Sequence, residues 1–344
     1  MKINSFNYNT LLFFLVRCLF IGICFNNLII ISKLDSWISI LIGIIISIFP
    51  LSLYYYINSK YPSLNIYEII NNNFISSLLS IFVFFFSASS YWNIINFISS
   101  QFLYKTPDIL ISLLFITSII YINYKGLKTI LRVSTMLFYV TVLLFLSSFI
   151  GLIIQTDLEN LMPVFMSSNK EIILGSMHLI AYNTLPLFML LVIPKDYIKI
   201  DIKSNLFMFV FASFMIFAYC FLVLSIYGID IATLLHFPEF HVLKRLTLMG
   251  FVKRLENIFS VQWAFDYFIF ISFAIYFICQ NPLLKKFKFN YIVISLLLVI
   301  TSNNMFSSNT VGYNFTLKYL PYFIYLFFLL LPIYLSIKKD TNSI

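Results

Sequence analysis

The sequence predicts an all-α integral membrane protein of about ten transmembrane helices, and three observations carry that prediction. Hydrophobic residues make up 61% of the 344 and charged residues only 10%, whereas a soluble domain is about one quarter charged and cannot hide this much apolar surface in one core. Glycine and proline are sparse, at 8 and 10, so the apolar runs are seldom interrupted. Those runs are near twenty residues long, the length a helix needs to cross a hydrocarbon slab of about 30 Å. Phe, Tyr, Ile and Asn are abundant throughout, the bias of an AT-rich genome, so one aromatic or one Asn is a weak functional signal.

The predicted spans cover residues 10–31, 36–57, 75–102, 108–124, 134–155, 173–194, 205–227, 258–280, 289–304 and 318–337. The first has no small-residue cleavage site and is followed directly by another apolar run, so it reads as a retained helix. The ninth is the shortest. With the N-terminus in the cytoplasm, the inner segments hold thirteen of the 22 basic residues and the outer ones eight, half of these in the single loop before helix eight. That asymmetry predicts an even helix count with both termini cytoplasmic. The net charge of +9 is dispersed over short loops and forms no stripe, so membrane lipid explains it and nucleic acid is excluded as a partner. Cys18, Cys24, Cys220 and Cys279 lie in apolar runs without metal-ligand spacing and read as small buried residues.

Two connections are longer than a turn, 61–73 and 228–257, and they fall at the same place in each half of the chain. A five-helix unit repeated once must insert upside down, so the pattern predicts one permease-like domain, 1–344, built as a five-plus-five inverted repeat. The repeats would span about 10–155 and about 173–337, without residue identity between them. In such a scheme the first helix of each half is discontinuous near the bilayer centre, where freed backbone groups can bind a ligand. Helix one carries Gly22 at a depth of about 18 Å by helix rise. Helix six carries Ala181, Tyr182, Asn183, Thr184 and Pro186 at a comparable depth.

Polar stripes point to the same centre. Ser89, Asn93, Asn96 and Ser100 share one face of helix three, and Gln262 and Asp266 share one face of helix eight; each stripe fits a vestibule or interhelical hydrogen bonding. The ligand-binding candidates are therefore Gly22 and Cys24, Asn93 and Asn96, Tyr182, Asn183 and Thr184, with Gln262 and Asp266. A zwitterion would satisfy both kinds of freed backbone group. Arg17, His178 and Asp266 are the ionisable groups inside spans, costly there unless paired, hydrated or near an interface. His178 lies near the outer end of helix six, an interfacial position. Arg17 either snorkels to the cytoplasmic face or pairs with Asp266 across the bundle interior. Arg254 and Glu256 make a charged first turn for helix eight, with Glu256 favoured by the helix dipole. No nucleophile grouping, phosphate loop or metal-ligand cluster appears, so no catalytic residue, metal or cofactor is expected and the chain is not expected to be an enzyme.

Residues Ser32 to Gly43 (SKLDSWISILIG), then Lys60, Tyr61, Pro62 and NIYEII from Asn65, resemble the second-helix region of the spore germination permeases. These are the B subunits of GerA-type germinant receptors, a branch of the amino acid, polyamine and organocation transporter superfamily. The resemblance continues in KTPDILI from Lys105, GLKTILRVS from Gly126, DLENLMPVF from Asp157, HFPEFHVLKRL from His236 and GFVKRLENIF from Gly250. It implies a LeuT-like fold in which helices one, three, six and eight surround the ligand site. It also implies a gating or subunit-contact role for Arg254 and Glu256, a location in the spore inner membrane, and partners in an A-type membrane subunit and a C-type lipoprotein. Helix one departs from the wider superfamily in having one glycine, between Ile21 and Ile23, where relatives often carry a glycine-rich break. The expected function is sensing a small germinant such as an amino acid; the alternative is ion-coupled secondary transport of amino acids or related solutes on the same fold.

Overall fold

Helix starts in this chain are fixed by side chains that replace the missing partners of a first turn. Asn65, Asn72, Asp157, Ser168, Asp201 and Ser308 each accept a hydrogen bond from a backbone N–H just downstream. At Asn65 and Ser168 the glutamate three residues on, Glu68 or Glu171, returns the bond and completes a capping box. Gly126 (φ 83°) and Gly228 (φ 67°) take left-handed backbone that other residues resist, and each marks a boundary or bend between helical segments.

The computed structural model describes residues 3–18, 24–198, 200–246, 255–306 and 308–338. It is 83% helical, with no strand among the described residues. In chain order the α-helices are α1 (Ser5–Cys18), α2 (Phe25–Ser32), α3 (Ser36–Ile46), α4 (Ile48–Lys60), α5 (Ile66–Ile70), α6 (Asn73–Gln101), α7 (Asp108–Lys125) and α8 (Leu127–Ile153). They continue with α9 (Asn169–Met189), α10 (Ile202–Leu234), α11 (Pro238–Leu243), α12 (Leu255–Cys279), α13 (Asn290–Asn304), α14 (Asn309–Lys318), α15 (Leu320–Tyr325) and α16 (Leu331–Ile337). Among the described residues, eight helical runs are long and apolar enough to cross a membrane. The first expected span corresponds to α1 and α2, on either side of residues 19–23, and α2 continues into the run that forms the second. The ninth is α13, whose 15 residues rise about 22 Å.

Helix α1 is the axis of the bundle, buried from Tyr8 to Cys18 and packed on α8, α9, α10 and α12. Around it α2 and α3 lie on α9, α6 lies on α12, and α13 covers α6 and α7. Close approach of α9 to α2 and α3 depends on small residues. A Cβ at Gly175 would stand 2.0 Å from Ser32 Oγ, and Ser39 Oγ donates to both Ser32 Oγ (2.8 Å) and the Ile172 carbonyl (3.0 Å).

Both ends of the described chain reach one face. Ile3 N–H donates to the Tyr197 carbonyl and Asp196 N–H to the Pro62 carbonyl, while Lys60 Nζ donates to the Ser336 and Lys338 carbonyls. At the opposite face the α8–α9 connection meets the segment after α11, where Gln155 Nε2 donates to the Arg245 carbonyl at 2.9 Å.

The expected break in helix six is absent: α9 runs through Ala181–Pro186 as one helix, with Pro186 inside it. An interior proline removes one hydrogen bond and crowds the preceding turn, at a cost of about 3 kcal/mol. Burial of every residue from Leu179 to Met189 offsets that cost through packing. Nearby carbonyls gain side-chain donors, Thr184 Oγ1 to Ile180 O (2.6 Å) and Tyr325 hydroxyl to Met177 O (2.5 Å). The helix tightens later, at Leu190–Val192, and stops before Pro194. The expected break in helix one, at Gly22, lies outside the described residues, as does Arg254.

Candidate functional site

Arg17 sits in the last turn of α1, where the helix dipole favours a cation, and it is buried. Its guanidinium meets two residues one turn apart on α12: Nη2 lies 3.2 Å from Asp266 Oδ2 and donates to Gln262 Oε1 at 3.0 Å. Nη1 approaches the Met215 sulfur of α10 at 3.8 Å, and the cation lies 5.1 Å from the centre of the Phe13 ring. The i, i+4 spacing of Gln262 and Asp266 puts both on the face of α12 that meets α1.

From Arg17 the hydrogen bonds form a line with one direction. Gln262 accepts from Arg17, which fixes its amide so that Nε2 donates to the Tyr219 hydroxyl at 2.7 Å, and also to the Phe259 carbonyl at 2.9 Å. Tyr219 oxygen is then an acceptor, and its own proton faces Ser148 Oγ at 3.3 Å; Ser148 donates on to the Phe145 carbonyl at 2.9 Å. Four helices, α1, α12, α10 and α8, are thus joined by one polar chain in an apolar surround. Asp266 receives no hydrogen bond of ordinary geometry, so Arg17 supplies its charge compensation among the described residues. An aromatic layer covers the chain on the side of the Gln155–Arg245 contact. Phe97 of α6 packs edge-on against Phe237, Phe240 and Trp263 with centroids 4.9 to 5.4 Å apart, and Trp263 lies 6.3 Å from Tyr219.

The remaining candidates divide. Tyr182 is buried beside Cys24 and Asn27, with its hydroxyl 3.5 Å from the Thr316 carbonyl of α14. Asn93 Nδ2 donates to the Tyr267 hydroxyl at 2.6 Å, tying α6 to α12. Asn183 points elsewhere: its Nδ2 donates to Ser47 Oγ at 3.1 Å, at the junction of α3 and α4. Thr184 bonds its own helix. Asn96 is half-buried, and Glu256 lies in the first turn of α12. Hence Arg17, Gln262 and Asp266 form one group, Cys24 and Tyr182 a second, and Asn183 and Thr184 belong to the helix packing.

Sequence reasoning missed Tyr219, Ser148 and Met215, the partners that extend the Arg17 group, and Asn27 beside Tyr182. Tyrosine, serine and asparagine are too common here to stand out; only the i, i+4 spacing of Met215 and Tyr219 hinted at a shared face. It also missed the meaning of Asp35. That carboxylate is buried and accepts the N–H groups of Phe165 (2.8 Å) and Ser167 (2.7 Å), while Ser167 Oγ donates to the Ser32 carbonyl (2.7 Å). Two motifs distant in sequence are thereby clamped together.

A description of spore germination proteins matches residues 8–311. The chain is also similar to YfkT of Bacillus subtilis (strain 168), a protein named for spore germination, at 23% identity over 238 residues; these cover 67% of this chain and 66% of the relative. The family match runs from α1 into α14 and so includes every helix that contributes to the Arg17 chain. This protein is a membrane protein that belongs to the spore germination protein family.

Proposed function

We propose that the chain is the B-type membrane subunit of a germinant receptor. It binds a small polar germinant such as an amino acid near the centre of the bundle and passes the resulting helix movement to an A-type subunit and a C-type lipoprotein. In this reading it resides in the spore inner membrane with both termini cytoplasmic, and it acts by binding and not by catalysis. The observation that carries the reading is the buried Arg17–Asp266 pair with its hydrogen-bonded extension through Gln262, Tyr219 and Ser148. Charges inside a membrane are costly and mark functional pathways, and here a shift of α1 relative to α12 must rearrange contacts on α10 and α8 as well. Tyr182 on α9, Cys24 beside α2 and Asn93 on α6 add further side chains to a site expected between helices one, three, six and eight.

Spores lacking only this chain should lose their response to one class of small germinant and regain it when the chain is restored. An unchanged response to every germinant would contradict the reading. Gradient-driven uptake of an amino acid by the chain alone in liposomes would instead favour the transporter alternative.

A further inference from the structure

The outer surface of the bundle carries an apolar groove, with α6 as one wall and α14 and α15 as the other. Its volume is about 390 Å³, and every described residue lining it is Leu, Ile, Met or Phe. Aromatic rings form its floor: Phe82 of α6 lies 4.9 Å from Phe327 and 5.8 Å from Phe328. Both of these belong to a π-helical turn, Leu326–Leu330, a rare geometry found most often at functional places in helices. Ile81 and Phe85 are exposed on the rim, so the groove opens sideways from the bundle. A span long and apolar enough to cross a membrane starts at Leu320, which lines the groove's upper end. From there to Phe327 the helix advances about 10 Å, within the roughly 15 Å of hydrocarbon in one leaflet. Lys318 is exposed in the last turn of α14, just outside that span and one turn beyond Phe315 of the lining.

We infer that this groove seats one acyl chain of a phospholipid from the leaflet on the α14 side, with the lipid phosphate at Lys318. The lining side chains carry no charge and no strong hydrogen-bonding group, so a polar solute would give up its water for nothing in return. Hydrocarbon loses nothing there. At about 30 Å³ per water-sized group, the volume has room for roughly thirteen methylenes, most of one acyl chain. A partner's helix, about 10 to 12 Å across, would fill the same volume with about one turn, too short a contact to hold a span. The charge pattern fits a phospholipid: apolar through the depth of one leaflet, with a cation at the level of the headgroup, where a lysine stem lies along apolar surface and its amine reaches phosphate. Phe86 lines the groove and also packs on Tyr182 (ring centroids 6.5 Å apart) and on Phe270 of α12 (6.0 Å). A seated acyl chain therefore lies one ring away from the second group of candidate residues.

The test uses the purified full chain in dodecyl maltoside, a detergent without phosphate, and two photoactivatable probes. One is phosphatidylglycerol with a diazirine midway along an acyl chain; the other is diacylglycerol with the same chain and no phosphate. After irradiation, peptide mapping should place the phosphatidylglycerol adducts mainly on residues 78–86 and 315–327, with much weaker labelling by diacylglycerol. Lys318→Gln should lower the phosphatidylglycerol labelling about fivefold, the effect of one basic residue near lipid phosphate. Ile81→Trp, which narrows the groove at its rim, should lower labelling by both probes. Both positions are exposed, so neither change threatens the fold. Adducts spread evenly over the outer surfaces of the spans, equal labelling by diacylglycerol, or labelling unchanged in both variants would overturn the inference. The readout is on the isolated chain and involves no germinant, so its outcome is separate from that of the spore experiment.

Discussion

Two carboxylates in this molecule, Asp35 and Asp266, are both 0% exposed and are held in opposite ways. Asp35 is satisfied by the main chain, through two N–H groups from the segment that leads into α9. Asp266 faces one side-chain cation on a different helix, 3.2 Å away. Main-chain donors move only when the fold moves, so Asp35 behaves as a rivet. A guanidinium at the end of a long side chain can be withdrawn while both helices stay intact, so the Asp266 contact can be made and broken. Burial alone does not distinguish a structural carboxylate from a functional one; the mobility of its partner does.

A large stability effect that sharpens this contrast is at Asp35. Replacing Asp35 with Ala leaves two N–H groups without their acceptor and removes two charge-assisted bonds, a loss of about 3 kcal/mol or more. Abundance in the membrane, measured by immunoblot, should fall sharply, and no substitution among the facing side chains should restore it, because the partners are backbone. Recovery through a second side-chain change would break the comparison.

A smaller effect is expected at Tyr219. Tyr219→Phe removes the hydroxyl that orients the Gln262 amide but leaves Gln262 its bond to the Phe259 carbonyl. The stability cost is about 1 kcal/mol, so abundance should stay near wild type while the germinant concentration for half-maximal response moves by several fold. An unmoved dose-response curve would place Tyr219 outside the functional chain.

The all-α membrane architecture was legible because hydropathy depends on the membrane itself and is written locally. Arg17 and Asp266 were legible because charge inside an apolar run is conspicuous, and Gln262 because it shares a helix face with Asp266. The continuity of α9 was not. Pro186 with Asn183 and Thr184 fits an open break or a closed helix equally well in sequence, and what decides is burial by α2, α3, α4 and α15, a property of the assembled bundle. Tyr219 and Ser148 were hidden by composition, with 23 tyrosines in the chain and nothing local to mark one of them. Asp35 was visible only as part of a motif; that its partners are the N–H groups of Phe165 and Ser167, 130 residues or more away, could emerge only from the fold.

The measurement that bears most directly on the central claim is a double-mutant cycle at Arg17 and Asp266, read as both membrane abundance and germinant dose-response. Either single change, Arg17→Gln or Asp266→Asn, leaves a polar or charged group buried without its counterpart, about 3 to 5 kcal/mol where the charge itself is stranded, and should lower abundance and response together. The double change removes both charges, which is often near neutral for stability. The account predicts that it restores abundance while the response stays at least as impaired as in the milder single variant. A double variant that responds to germinant like wild type would show that the pair serves only to balance its own charge, and would contradict the account.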